Sequence, residues 1–489
     1  MNWGGRISQQ YLDVINYFGV NKGFDKIILH IKTTPKLDLD YVNLAIRLYH
    51  EIAFILVPEV HNDWIINVQQ LIFARLLAPT NQELKELNKK SFNLTCDILN
   101  GLLSYVIEEA KANEMIEQFR LDMALVMLKF DYLERRLNGL TEINELIIMT
   151  LNKERRSRGL FVQKDAPIAK YLDSEYLLNW IKDNKILDSL FGVNIHEALI
   201  SRSLDIFRFF ASKNSLSSSY IDLLWNSSLG DQTESFVNTI YKVIKQLSIS
   251  LNWELLEYIM LRIKELNSNL YTSKLLKLTK KLIKAASGNG EYIKNGKWIG
   301  IHIFWDFVLA EDKASTTSNT ISLKKEALSY LLEMFEYSKS QINIEPFIAN
   351  CIERLKLGTS VGQALKLLRK MIKLHSKNEE ENSQYILELN QQYNLLTLVF
   401  DDIKTLPTKV KNSVDLVSQL NLRFKFISMI FSSSPIDLNL EQSGLLWDVT
   451  IFQHGRTFDS DVASLGFEFF ETACSSCWLE VTHSPFVDD

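Results

Sequence analysis

Hydrophobic residues recur along most of this sequence at the spacing of an α-helix. The segment from Ser322 to Tyr337 is typical, because its apolar residues fall on one helical stripe: Leu323, Ala327, Leu328, Leu331, Leu332 and Phe335. We expect Ser322 to cap its first turn. The same spacing predicts helices at 41–57, 62–77, 84–110, 116–134, 140–152, 195–212, 218–228, 233–249, 253–266, 272–286, 361–375, 383–400 and 412–431. No window of comparable length alternates with the period of a strand.

The run from Leu172 to Gly192 contains signals for both ends of a helix. Asp173 or Ser174 can cap its start, and Gly192 is placed to end it in a left-handed conformation. Its apolar face is formed by Leu177, Leu178, Trp180 and Ile181. The pattern therefore predicts one capped helix here.

The predicted helices are separated by short polar breaks and come in pairs of roughly 40 residues, the size of a HEAT or armadillo unit. No consensus sequence repeats at that period, so helix length and spacing alone carry the prediction. One such pair cannot bury its own apolar face, whereas a stack buries a continuous core. We therefore expect an all-α, armadillo/HEAT-like α-solenoid of stacked helix pairs.

A basic stretch that ends in a proline suggests a boundary within this array. The residues NKERRSRGLFVQKDAP run from Asn152 to Pro167. We predict N-terminal helical repeats over 1–152, a basic linker or long loop over 153–167, and a second block of repeats over 168–489 that continues the superhelix.

Composition agrees with long helices, because 18 Gly and 8 Pro are few for 489 residues and tight turns need both. Hydrophobic residues make up 46% and charged residues 23%, as in a folded globular protein. The formal net charge is -5, so no overall positive field attracts nucleic acid. We expect protein partners and no nucleic acid, and the oligomeric state stays open.

Several features predict a cytoplasmic protein without a membrane segment. The start, Met1 to Arg6, has no apolar run behind it, so a secretory signal is not expected. The most apolar stretch, 299–310, is shorter than the roughly 20 residues that span a bilayer. The cysteines at 96, 351, 474 and 477 are too few and scattered to staple this chain, which favours free thiols in a reducing compartment.

The cysteines are also the first candidates for chemistry. Cys474 and Cys477 form a Cys-x-x-Cys pair, for which His454 and His483 could complete a metal site, but the spacing matches no common zinc module. The surroundings of Cys96 and Cys351 predict packed thiols inside amphipathic helices. Nucleophile-elbow, phosphate-loop and His-Glu-x-x-His motifs do not occur. We therefore expect no catalytic, cofactor-binding or metal-binding residues, and no cofactor.

Other polar and aromatic residues favour structural roles. Lys153, Arg155, Arg156 and Arg158 could contact phosphate or form a nuclear signal, but a solvated helix end explains them without a partner. Asp401 with Asp402 is interpreted as solvated charge, and His196 and His302 as structural residues. The tryptophans are interpreted as core anchors, and an exposed one would be a candidate hot spot for binding: 180, 225, 253, 298, 305, 447 and 478.

Six segments, spread over roughly two thirds of the chain, carry a resemblance to a known family. They are NKGFDKII from Asn21, LNGLTEINELI from Leu137, the run 172–192, YIDLLWNSSLGDQ from Tyr220 with the helix to Ser248, WELLEYIMLRI from Trp253, and IHIFWDFVL from Ile301. Together they resemble the large helical region that precedes the catalytic domain in giant ubiquitin-specific proteases of the fat-facets type.

That resemblance implies a deubiquitinase polypeptide in which a long solenoid flanks a papain-like cysteine protease domain. The family's nucleophile lies in a Gly-x-Thr-Cys-Tyr box and its base in a downstream histidine box, and this sequence matches neither. No catalytic residue can be carried over. We therefore interpret the chain as an N-terminal fragment of a longer product, a truncated chain, or a paralogue without protease activity.

The leading hypothesis is a non-catalytic scaffold that binds partners or substrates for a protease domain outside this chain. The alternative is a general armadillo-type adaptor unrelated to ubiquitin. An enzyme with an unrecognised site is disfavoured, because no converging set of titratable groups is visible.

Overall fold

The structure is a computed structural model that describes residues 9–192, 194–230, 232–310, 318–338, 340–375, 379–409, 413–433, 440–448, 450, 463–464 and 466–471. Every regular element in these ranges is helical. The chain divides into two compact units, Met1–Leu251 and Asn252–Asp489. The described part therefore confirms the all-α prediction.

The first unit contains thirteen described α-helices and two short 3-10 helices, Ala53–Ile55 and Ser248–Ser250. The α-helices are α1 Gln9–Val20, α2 Asp25–Thr33, α3 Leu39–Ile52, α4 Pro58–Leu77, α5 Asn81–Glu86, α6 Lys89–Leu103, α7 Glu109–Leu128, α8 Leu133–Ser157, α9 Ser174–Asp183, α10 Ile186–Leu190, α11 Glu197–Ser212, α12 Ser218–Asn226 and α13 Glu234–Leu247. Helix α3 packs on α6, α7 on α8, α8 on α11, and α11 on α13.

The second unit contains eleven described α-helices and a 3-10 helix, Ser268–Leu270. The α-helices are α14 Trp253–Lys264, α15 Ser273–Ser287, α16 Gly290–Asn295, α17 Ile299–Leu309, α18 Ser318–Tyr337, α19 Glu345–Leu357, α20 Val361–His375, α21 Glu379–Tyr393, α22 Leu395–Lys409, α23 Ser413–Ser433 and α24 Leu440–Trp447. Helix α14 packs on α17, α17 on α18, α19 on α20, and α20 on α23. Within each unit, helices thus stack on near neighbours in the sequence, as in armadillo and HEAT solenoids.

Polar caps start many of these helices. The side chain of Asp38 accepts hydrogen bonds from two backbone N–H groups at the start of α3. Thr80 and Glu83 form a reciprocal capping box at α5. Asp173 caps α9 by accepting from Tyr176 N at 2.8 Å, which confirms one of the two predicted caps.

The core of each unit is aromatic and aliphatic. In the first unit, the rings of Tyr49 and Trp64 stack with centroids 3.7 Å apart. In the second, Trp305 meets Phe347 edge to face at 4.9 Å. Such pairs add specific geometry to the burial of large apolar surfaces between helices.

Buried polar side chains also tie helix pairs together. Arg135 Nη1 donates to Leu87 O at 2.7 Å, Arg136 Nη1 donates to Asn194 O at 2.8 Å, and Asn144 Nδ2 donates to Arg202 O at 2.9 Å. The residues joined lie 48, 58 and 58 positions apart in the sequence. Each bond therefore fixes one helix pair against the main chain of another.

Several predicted helix boundaries are wrong. The predicted helix 84–110 is divided among α5, α6 and the start of α7, since Asn88 caps a new helix by accepting from Lys90 N. The predicted helices 116–134 and 140–152 correspond to α7 and to a longer α8. Helices α1, α2, α16, α17, α19 and α24 were not among the predicted spans. Ser322 does not cap α18, which begins at Ser318.

Two predicted single helices are broken by residues in the left-handed region. Lys185, with φ 50°, separates α9 from α10, and Asn394, with φ 52°, separates α21 from α22 within the predicted helix 383–400. Gly192 does not adopt the expected positive φ. The predicted linker 153–167 begins with the last turn of α8 and lies inside the first unit. A domain division at that segment stays a prediction.

Candidate functional site

An open groove lies between α14 and α17 in the second unit. It encloses about 620 Å³ of water-accessible space. Its lining consists of Trp253, Glu254, Glu257, Tyr258, Leu261, Lys264, Lys297, Ile299 and His302. Four of these nine residues are aromatic or aliphatic and five are charged or polar, a mixture that is typical of a protein-binding surface.

Local sequence explains why these helices come close. Asn252 caps α14 by accepting from Leu255 N at 3.0 Å. Gly300 lies in the first turn of α17, where an added Cβ would come within 2.5 Å of Ile283 Cγ1 and 2.7 Å of Met260 Sδ. A side chain at position 300 would therefore push α17 away from α14 and α15.

The start of α17 is held by an aromatic pair. Trp298 has φ 53° and meets Tyr292 edge to face with ring centroids 5.1 Å apart. Burial raises the pKa of the Tyr292 hydroxyl above its ordinary value. A tightly packed aromatic pair thus fixes the turn that directs Ile299 into the groove wall.

Charges of both signs line the rim. Lys264 Nζ lies 3.4 Å from Asp306 Oδ2, and Lys297 N donates to Glu257 Oε1 at 2.6 Å. Burial lowers the pKa of His302 below its ordinary value, and the positive charge of Lys264 lowers it further. The imidazole is therefore neutral at physiological pH and contributes an uncharged polar edge to the groove.

The two described cysteines lie apart from this groove. Cys96 in α6 and Cys351 in α19 are both buried and free. Burial raises the pKa of each thiol far above its ordinary value, so neither is a thiolate at neutral pH. Both therefore match the predicted packed thiols. Cys474 and Cys477, with His454 and His483, lie outside the described residues.

Other polar residues have specific structural contacts. His196 caps α11, since its Nδ1 accepts from Ala198 N at 3.2 Å. Asp401 is exposed, as expected, but the solvated interpretation is wrong for Asp402, which is buried and ion-paired with Arg423. Across the described ranges, no group of three or more His, Cys, Asp or Glu side chains could hold a metal ion.

The tryptophans divide between core and surface. Trp225 and Trp305 are buried, whereas Trp447 is 47% exposed. Trp253 is partly buried and lines the groove. Trp478 lies outside the described residues. The groove brings together two of the segments that carry the family resemblance, those that begin at Trp253 and Ile301. Helical periodicity alone did not predict that they lie close together.

No helix in the described ranges is both long enough and apolar enough to cross a bilayer.

Comparisons with known proteins agree with the helical architecture. The model of the UBP24/USP9X/USP9Y ARM repeat family matches residues 114–477, which include α14 and α17. Ubiquitin carboxyl-terminal hydrolase 9Y of Mus musculus is 21% identical over 89% of this chain and 18% of its own length.

Two further relatives extend this result. The probable ubiquitin carboxyl-terminal hydrolase FAF of Drosophila melanogaster is 21% identical over 82% of this chain and 16% of its own length. Human ubiquitin carboxyl-terminal hydrolase 34 is 24% identical over 46% of this chain and 6% of its own length. The chain thus spans less than a fifth of each of these relatives. Since the family model covers most of its residues, the chain belongs to the UBP24/USP9X/USP9Y ARM repeat family.

Proposed function

We propose that this chain is a non-catalytic α-solenoid scaffold that binds protein partners or substrates for ubiquitin removal. In this proposal, a cysteine protease domain outside the chain performs the cleavage. Membership of the ARM repeat family and the names of the relatives, which are ubiquitin carboxyl-terminal hydrolases, support the link to deubiquitination. The proposed compartment is the cytoplasm.

The groove between α14 and α17 is the proposed binding surface, and its apolar lining is the observation that carries the proposal. Leu261 is 40% exposed and lines this groove together with Tyr258 and residues of both charges. We propose that this groove binds an amphipathic helix of a ubiquitin-pathway protein. Apolar side chains of that helix would fill the groove, and charged flanks would pair with Glu257 and Lys264.

Binding to the purified chain tests this function. We expect ubiquitin-pathway proteins to bind the wild-type chain and to lose about tenfold in affinity with Leu261→Ser, as for a hot-spot residue. Leu270→Ser is the matched control, because Leu270 is 60% exposed in the same unit but does not line the groove. Equal loss with both variants would contradict the groove assignment.

The identity of the partners separates this proposal from the alternative adaptor. Transport cargo in place of ubiquitin-pathway proteins would support an armadillo-type adaptor unrelated to ubiquitin. Hydrolysis of ubiquitin-rhodamine by the purified chain, abolished by changing any one of Cys96, Cys351, Cys474 or Cys477, would contradict a non-catalytic role.

A further inference from the structure

The segment between α8 and α9 begins at a fixed turn. Gly159 has φ 71°, its N–H donates to Arg156 O at 3.1 Å, and Leu160 N donates to Arg155 O at 2.9 Å. These two bonds form a Schellman motif, which needs glycine at the left-handed position. The turn ends α8 and sends the chain outward at Leu160.

The far end of the same segment is clamped from two sides. One carboxylate, Glu117, accepts from the N–H groups of Lys170 at 2.7 Å, Tyr171 at 3.0 Å and Leu172 at 2.7 Å. Lys153 Nζ donates to the carbonyl oxygens of the same three residues at 3.1, 2.8 and 3.1 Å. The intervening residues are therefore held between two anchored ends.

The segment between these two anchored ends exposes two large apolar side chains. Phe161 is 90% exposed and Leu160 is 57% exposed. Among the large hydrophobic side chains of the described residues, Phe161 has the greatest exposed fraction. Leaving a phenylalanine in water on a fixed turn forgoes the free energy that its burial would give, which is typical of a surface that a partner covers.

Positive charge is concentrated near these two side chains in the sequence, where Asp165 is an exposed carboxylate. Arg155, Arg156, Arg158 and Lys164 are exposed. The nearby carboxylate of Glu154 is already held by Lys213 Nζ, at 2.6 Å from its Oε1. Three of the four cations are arginines, whose planar guanidinium groups bind carboxylates through two parallel hydrogen bonds.

We propose that residues 155–164 form a docking knob for a protein whose apolar pocket is edged by Asp and Glu carboxylates. Leu160 and Phe161 enter the pocket, and the arginines pair with its rim. This inference rests on the proposed scaffold function but uses a surface distinct from the α14–α17 groove.

The chemistry of the knob favours a protein over a membrane. Two apolar side chains fill a pocket of ordinary size, whereas stable attachment to a bilayer needs a larger buried apolar face or a lipid chain beside the basic patch. Arginine and aromatic residues are also the types most enriched at protein interfaces. A membrane is therefore the alternative outcome of the test.

Photo-cross-linking of the full chain in cells tests the knob. A benzophenone amino acid replaces Phe161 in one variant and Ile249 in the control, because Ile249 is 86% exposed without a comparable basic cluster beside it in the sequence. We expect position 161 to cross-link to partner peptides in which apolar residues lie beside Asp or Glu. Cross-linking to lipid, to surfaces without carboxylates, or equally from position 249 would overturn the proposal.

Charge reversal makes the test quantitative. We expect Arg155→Glu with Arg156→Glu to lower the recovered cross-link about tenfold, and changing the partner's cross-linked carboxylates to lysine to restore it. No loss on reversal, or no restoration, would overturn the knob. Thermal melting checks that the chain carrying Arg155→Glu and Arg156→Glu remains folded.

Leu261→Ser, run in parallel, separates the two binding surfaces. Loss of binding with Leu261→Ser alone would reject the knob and leave the scaffold function standing. Unchanged binding with the groove and knob variants alike would reject both.

Discussion

Arg423 and Asp402 form a buried ion pair between α23 and α22, with Arg423 Nε 2.6 Å from Asp402 Oδ2. Their side chains are only 3% and 6% exposed. Arg423 Nη1 also donates to Gln419 O at 2.9 Å. The pair therefore joins two helices in a site with little access to water.

Removing one partner of this pair should destabilise the second unit strongly. We expect Arg423→Ala to lower the free energy of unfolding by about 3–5 kcal/mol, because it removes the positive charge paired with a buried carboxylate. Urea unfolding measures the loss. Arg208→Ala is the control, since its pair with Asp205 is 3.8 Å apart and exposed, and we expect a loss under about 1 kcal/mol there.

Truncating the buried stripe of α18 tests the packing of that helix. Leu331 is fully buried, so Leu331→Ala should cost about 2–5 kcal/mol of unfolding free energy. Ile321→Ala, at a position on the same helix that is 45% exposed, should cost under about 0.5 kcal/mol. Similar losses in denaturant melts of the two variants would mean that the buried face is wrongly assigned.

The carboxylate of Glu83 should give part of the stability a definite pH dependence. Burial acts to raise its pKa, but hydrogen bonds from Thr80, Leu37 N and Arg75 outweigh burial and lower the pKa to about 2. A lowered pKa in the folded state stabilises the fold above the ordinary value of 4.5, and this stabilisation is lost as pH falls toward 2.

The measurement compares wild type with Glu83→Gln. We expect the difference in unfolding free energy to be largest near about pH 6 and to shrink by about pH 3. A difference that stays constant over this range would contradict the depressed pKa. Glu108→Gln serves as a control, because Glu108 is exposed and its side chain makes no capping hydrogen bond at the start of α7.

The clamp at residues 170–172 should protect three successive amides from hydrogen exchange. Glu117→Gln removes a charge-assisted acceptor, so we expect these amides to exchange about tenfold faster. Exposed Glu109, whose carboxylate lies 3.4 Å from Lys170 Nζ, gives the control Glu109→Gln. Unchanged protection in Glu117→Gln would show that the segment is held by other contacts.

The buried thiols should resist alkylation in the folded chain. In a background of Cys474→Ser and Cys477→Ser, we expect iodoacetamide to label Cys96 and Cys351 only after denaturation, because burial raises the pKa of both thiols and excludes the reagent. Mass spectrometry measures the labelled fraction. Rapid labelling of either thiol in the native state would contradict its assigned position.

Helical periodicity predicted the fold class because each helix buries an apolar stripe, and the spacing of apolar residues in the sequence defines that stripe. Breaks were harder to predict. Lys185 and Asn394 adopt left-handed conformations usually associated with glycine. Lysine gives little warning of this, whereas asparagine tolerates the conformation better than most residues, a signal that periodicity does not use. The ion pair of Asp402 with Arg423 was equally hidden, since charge alone does not distinguish a solvated carboxylate from a buried one.

The groove could be predicted only in part. Its two walls come from segments that the family resemblance singled out, but their proximity depends on Gly300 and the turn at Trp298. For the knob, the sequence pattern predicted only a solvated basic helix end. The clamp that holds the far end of this segment joins Glu117 to residues more than 50 positions later, which no local pattern encodes.

The ties from Arg135, Arg136 and Asn144 to distant carbonyl oxygens bear on how this architecture tolerates evolutionary drift. Every amino acid carries a main-chain carbonyl, so the accepting residue can mutate freely while the bond survives. Only the donor must be kept. An array joined in this way can retain its geometry while its sequence diverges to the 21% identity that separates this chain from the mouse relative.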